Sequence, residues 1–244
     1  GIIATNDVTL GVKAGGGSVS LFTNDSRRSL GWAIGEAEAT NGILSFLIHR
    51  YGETNRTVSI QLGMTGLAYS ATAPYNCPKS ARVLADAATV ISNRAFNLGI
   101  PGDPVLGLAK MAVGITNGAG VRTYALSICA TNGQYSLARQ IPGDAWTFGY
   151  QNVFLSEYYL FTGDTSVTTG VRELAIALAR GQSMYGTCGH GLVQPNADGS
   201  LHGSVGWYGP VNSAGLVAYM GIVLGKKAGA THAEIDPAIT RAGN

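Results

Sequence analysis

The chain has 244 residues, of which 35 are glycine, about twice the usual share, while 12% are charged and 45% are hydrophobic. Low charge with that much apolar side chain excludes intrinsic disorder. The glycines follow no three-residue period, which excludes collagen, and the longest apolar stretch, 215–225, is too short to cross a bilayer. A net charge of +2 without a basic run argues against nucleic acid as a partner. Three cysteines, Cys77, Cys129 and Cys188, are too few for a disulfide framework.

In chain order, Val8-Thr9-Leu10-Gly11-Val12 follows Asn6-Asp7 and reads as a strand. Residues 25–39 carry helical spacing: Asp25 or Ser26 can cap, and Leu30, Ala33, Ile34 and Ala37 fall three or four apart. Two strand-like runs, 43–48 and 58–62, flank the polar turn Tyr51-Gly52-Glu53 and predict a hairpin. Composition changes near residue 63. From Pro78 onward the spacing turns helical over 79–96, 104–115, 121–131, 145–161, 167–183, 211–228 and a short piece from Ile235, each stopped by Gly, Pro, Asn or Asp. Three of these pieces end alike, at Gly114-Ile115-Thr116-Asn117-Gly118, Leu160-Phe161-Thr162-Gly163-Asp164 and Val223-Leu224-Gly225-Lys226-Lys227-Ala228-Gly229, which predicts repeated helical hairpins that bury their apolar faces by stacking. The expected fold is therefore mainly α: an α/β module over 1–62, a linker over 63–77 and a helical-hairpin domain over 78–244.

The strand at 6–12, the helix start Asp25-Ser26-Arg27-Arg28-Ser29-Leu30 and the hairpin from Leu47-Ile48-His49-Arg50-Tyr51-Gly52 to Val58-Ser59-Ile60 resemble the second half of a PDZ-like domain. PDZ domains bind peptide carboxy-termini by adding a strand to a sheet edge, so the resemblance implies a partial PDZ-like module. The run from Phe154 to Asp164 and the following Val171-Arg172-Glu173-Leu174-Ala175-Ile176-Ala177-Leu178-Ala179 look like a hairpin of an α/α toroid, here an incomplete one. Carbohydrate-active enzymes, terpene cyclases and lanthionine cyclases use that fold. As a whole the chain resembles an uncharacterised bacterial family that joins a PDZ-like domain to a toroid-like helical domain. The stretches that carry this are Ala73-Pro74-Tyr75-Asn76-Cys77-Pro78-Lys79-Ser80, Trp146-Thr147-Phe148-Gly149-Tyr150, Gly186-Thr187-Cys188-Gly189-His190-Gly191 and Tyr208-Gly209-Pro210-Val211-Asn212. The resemblance implies a secreted or periplasmic protein whose partner is a polysaccharide or another extracytoplasmic protein.

Glu157 falls among Trp146, Tyr150, Val153, Leu160 and Phe161 at 100° per residue, which places a carboxylate on the apolar face of its helix. It reads either as a general acid or as a structural group satisfied by backbone donors. The loop from Met184 to Asn212 concentrates reactive side chains among glycines. In a toroid that cleaves polysaccharide, Asn212 would stabilise charge while Tyr185, Tyr208 or His190 moves protons beside Glu157, and Trp146, Trp207 and His202 would line the sugar site. No cofactor is implied. A zinc alternative uses Cys188, His190 and His202, although the C-x-H-x11-H spacing matches no ordinary zinc pattern. A non-catalytic binding or scaffold protein with a PDZ-like module is the competing reading. Gly181-Gln182-Ser183 lacks the second glycine of a nucleophile elbow, and 221–227 is one residue short of a P-loop, which excludes the usual serine hydrolase and ATP-binding arrangements.

Overall fold

The computed structural model describes residues 3–116, 120–131, 145–206 and 209–243. Among them are eight α-helices and one three-stranded antiparallel sheet, and about half of the chain is helical. None of these helices is long and apolar enough to cross a membrane. The chain divides into two compact units, Gly1–Ala87 and Ala88–Asn244.

The first unit is a helix laid on a small sheet. Strands β1 (Val8–Ala14), β2 (Ile43–His49) and β3 (Arg56–Gln61) pair in that order, with Ala14 opposite Leu44 and Ile43 opposite Gln61. Between β1 and β2 runs α1 (Ser26–Ala39), whose N-terminus is capped by Asp25 accepting from the backbone N–H of Arg27 at 3.0 Å. Ala33 and Ala37 of α1 bury against Leu44, with Val12, Phe46 and Ile60 around them. The small side chains let the helix lie close to the sheet. Asp7 and Arg50 join the start of β1 to the hairpin turn through two hydrogen bonds of 2.6 and 2.9 Å. At the opposite end, the Lys79 ammonium is buried against Glu38 at 2.6 Å and lies over the Tyr69 ring, 4.9 Å from its centroid.

The second unit is helical. It contains α3 (Gly102–Ala112), α4 (Val121–Thr131), α5 (Ala145–Thr162), α6 (Thr168–Arg180), α7 (Asn212–Lys227) and α8 (Ile235–Gly243), while α2 (Pro78–Asn93) spans the division between units. Sequence spacing located α1, α4, α5 and α7 to within a residue at each end. The piece expected as one helix over 167–183 is instead a short 3-10 turn, Thr165–Val167, followed by α6, which stops at Gly181 so that Ser183 lies in a turn. Asp164 caps the 3-10 turn by accepting from the backbone N–H of Ser166 at 3.0 Å. Helices α5, α6 and α7 form the centre, where Phe154, Leu155, Leu174, Leu178 and Ile222 are fully or almost fully buried.

Two features of this architecture are open to test. A Cβ on Gly149 would stand 3.0 Å from the backbone carbon of Val217 on α7, so Gly149→Val is expected to destabilise the second unit by ~1–3 kcal/mol, read as a lower urea midpoint. Arg50 holds the Asp7 carboxyl well below the usual carboxylate range, at about 2 against 3.8. Because the folded chain binds that proton less tightly than the unfolded one, the pair contributes stability above about pH 4 and loses it as pH falls towards 2. In Asp7→Asn that part of the acid dependence should disappear from equilibrium unfolding curves.

Candidate functional site

The segment after α6 is a chain of tight turns held from both sides. Ser183 donates its backbone N–H to Thr187 at 2.8 Å, and their hydroxyls meet at 2.8 Å. Gly186 adopts a φ of +74° with the backbone of Arg241 against it, so a side chain here would meet both a steric wall and an unfavourable backbone angle. Beyond it, the Cys188 carbonyl accepts from Val211 at 2.9 Å and the His190 carbonyl accepts from Ala145 at 2.8 Å. The starts of α7 and α5 thus bracket residues 188–190.

The predicted site residues do not meet at one point. Glu157 is half-buried on the least covered stripe of α5, beside Leu160 and Phe161, of which Phe161 is 66% exposed. That corrects the expectation of a core-facing carboxylate. The reason is that α5 packs against α7, α6 and α3, so it is covered on several sides, and its buried side carries the polar Asn152 and Ser156. Apolar spacing therefore pointed to the wrong face. Glu157 also lies eleven residues along α5 from Trp146, about 16 Å away at 1.5 Å per residue.

His190 is exposed and lines a cleft of about 260 Å³ with Leu192, Val205 and four glycines. Its Nδ1 accepts from the Trp146 indole at 3.0 Å, and Trp146 stacks on Tyr150 with ring centroids 6.2 Å apart. Asn212, the exposed first residue of α7, borders a different hollow of about 330 Å³ with Thr187, Leu216 and Tyr219. Tyr185 is 75% exposed. Tyr208 and Trp207 lie outside the described residues. His202 does not line either hollow; its Nδ1 lies 2.9 Å from the Gln182 carbonyl and its Nε2 3.1 Å from Glu234, which ties the loop to α8.

The zinc arrangement is not assembled: among the described residues no three His, Cys, Asp or Glu side chains form a group that could hold a metal ion. Cys188 turns its thiol towards the Gly181 carbonyl, His190 is engaged with Trp146 and His202 with Glu234. Burial pushes the Cys188 thiol up to about 11, which also removes it as a thiolate nucleophile.

Sequence reasoning missed a larger concavity in the first unit. The outer stripe of α1 presents Arg28, Gly31, Trp32, Gly35, Glu36 and Ala39, spaced by three, four, seven, eight and eleven, towards residues 68–73. The groove between them measures about 820 Å³. Trp32 is 65% exposed and Tyr69, whose ring lies under the Lys79 ammonium, is 47% exposed. The signal in the sequence was the stripe itself, since the apolar spacing of Leu30, Ala33, Ile34 and Ala37 accounts for the sheet-facing side and leaves Trp32 unexplained. In the wall of the groove, Ser70 donates its backbone N–H to the Cys77 sulfur at 3.4 Å. Hydrogen bonds, first from the Ser80 side chain and then from the Ser70 backbone, lower this thiol to about 6.

A largely helical chain whose described residues include an aromatic groove, a glycine-walled cleft at His190 and a small hollow at Asn212 is the class defined by this fold and these surfaces. Residues 80–244 match a family described as a domain of unknown function, DUF6288, and since the match takes in well over half of the chain, the protein belongs to that family. No curated protein and no solved structure matches the chain.

The three thiols separate by environment, since burial raises Cys129 as well as Cys188 and only Cys77 is lowered. In a pH titration followed by thiolate ultraviolet absorbance, one step is expected near pH 6, and it should vanish in Cys77→Ser and persist in Cys188→Ser.

Proposed function

We propose that this chain is a non-catalytic binding protein whose α1 groove takes an extended peptide segment from another protein. The observation that carries the reading is the groove itself: about 820 Å³, with two exposed aromatic rings and an exposed Gly31 that has no side chain to keep a ligand backbone away. Arg28 and Glu36 are eight residues apart on α1, about 12 Å along the helix. That is the length of roughly four extended residues, so the two charges suit the ends of a short strand-like segment. The resemblance of residues 6–60 to half of a PDZ-like module, and of the helical hairpins to an incomplete α/α toroid, supports a scaffold in which the first unit recognises an extracytoplasmic partner.

The polysaccharide-cleaving alternative draws on the Trp146 and Tyr150 stack beside His190, a surface suited to a sugar ring. Against it, no carboxylate is among the described residues that line the His190 cleft or the Asn212 hollow. That counts against the hydrolase form, which uses a pair of them, whereas the lyase form would rely on tyrosine and histidine for proton transfer.

Selection of a random peptide library on the full chain should enrich binders that Trp32→Ala weakens at least about 30-fold, the size of an interface hot spot. Gly31→Leu is the sharper variant. A Cβ there meets nothing within 4 Å, so the substitution fills the groove without disturbing the fold and should abolish capture at an unchanged melting temperature. Peptides that bind Gly31→Leu as well as the parent chain, or enrichment of none while soluble polysaccharides bind, would sink the proposal.

A further inference from the structure

The His190 cleft carries a second inference that does not depend on the α1 groove. Two consecutive residues at the start of α5 grip one histidine: the Ala145 backbone N–H donates to the His190 carbonyl at 2.8 Å, and the Trp146 indole N–H donates to His190 Nδ1 at 3.0 Å. The two rings lie 6.3 Å apart at 33°. Gly189 and Gly191 flank the histidine, so neither sequence neighbour has a side chain to orient the imidazole. Trp146 is itself steadied by Tyr150, one turn further along α5, with the rings nearly parallel at 11°.

An indole nitrogen is a donor only. The nitrogen it meets must therefore present a lone pair, and the single proton of a neutral imidazole is left on the other nitrogen. We infer that Trp146 is a positioning residue that holds His190 as the Nε2–H tautomer, so that the second ring nitrogen acts as a hydrogen-bond donor and not as a base. Whatever group meets Nε2, whether of the protein or of a ligand, must accept a hydrogen bond. The lone pair that could take a proton is on Nδ1 and is engaged by the indole. This reverses the proton-abstracting role that the loop composition suggested for His190, and it assigns Trp146 a task other than stacking on a sugar.

The test is a long-range proton–nitrogen correlation spectrum of the full chain with nitrogen-labelled histidine and tryptophan, recorded where imidazoles are neutral, with His190→Gln identifying the His190 signals. The expected wild-type result is an unaveraged pattern, with Nδ1 unprotonated and Nε2 protonated, together with a through-bond coupling between Trp146 Nε1 and His190 Nδ1. In Trp146→Phe the coupling is lost and the His190 pattern moves towards the averaged tautomer mixture of an unconstrained imidazole. Tyr150→Leu, which removes the stacking partner and leaves the indole in place, keeps the wild-type pattern and so separates a hydrogen-bond effect from a packing effect. A protonated Nδ1, an averaged wild-type pattern, or an unchanged His190 pattern in folded Trp146→Phe overturns the inference. Should Trp146→Phe fail to fold, the wild-type pattern and coupling decide the matter alone.

Discussion

Backbone contact between α5 and α7 is the constraint from which the second unit is built. Gly149 on α5 stands against Val217 and Ala218, while Gly221 and Gly225 on α7 stand against Leu178, Ala175 and Asn152, each so closely that a Cβ would collide. Asn152 crosses the seam and donates to the Gly221 carbonyl at 2.7 Å. At this separation the dispersion gain comes from main chain as well as side chain, and it is available only where glycine supplies the room. The high glycine content is thus partly a packing requirement.

That contact reaches the loops. With α5 and α7 locked together, their N-terminal ends stand side by side, and each donates a backbone N–H to residues 188–190. The position of His190 against Trp146 follows from the same two helices. His202 fastens the next part of the loop to Glu234 at the head of α8, so the segment is held at several places by elements distant in sequence. In the first unit the logic is different. There α1 has two working sides: one is spent on the sheet through Ala33 and Ala37, and the other, with Trp32 and its glycines, faces a groove.

Much of the local structure was legible in the residues. Asp25 announced its cap because a side-chain carboxylate bonds backbone groups two or three residues away, a purely local event. The hairpin from Ile43 to Gln61 followed from alternation and a glycine turn. The candidate site was much less legible. The face of Glu157 was misread because three-sided packing of α5 erases the one-sided apolar stripe on which such a reading depends. The groove beside Trp32 went unseen because its far wall, residues 68–73, is more than thirty positions away and carries no periodicity of its own.

What the sequence by itself determined is the order and approximate extent of most helices and strands and the cap at Asp25, since each of these depends on interactions within a few residues. Tertiary structure alone decided which polar groups meet. Cys188, His190 and His202 stand within fifteen positions of one another, yet they turn to three different partners: a carbonyl at the end of α6 seven residues back, and an indole and a carboxylate from distant parts of the chain. Proximity in sequence constrains the backbone over a turn or two, and the direction of a side chain in a glycine-rich loop is set by whatever packs against it.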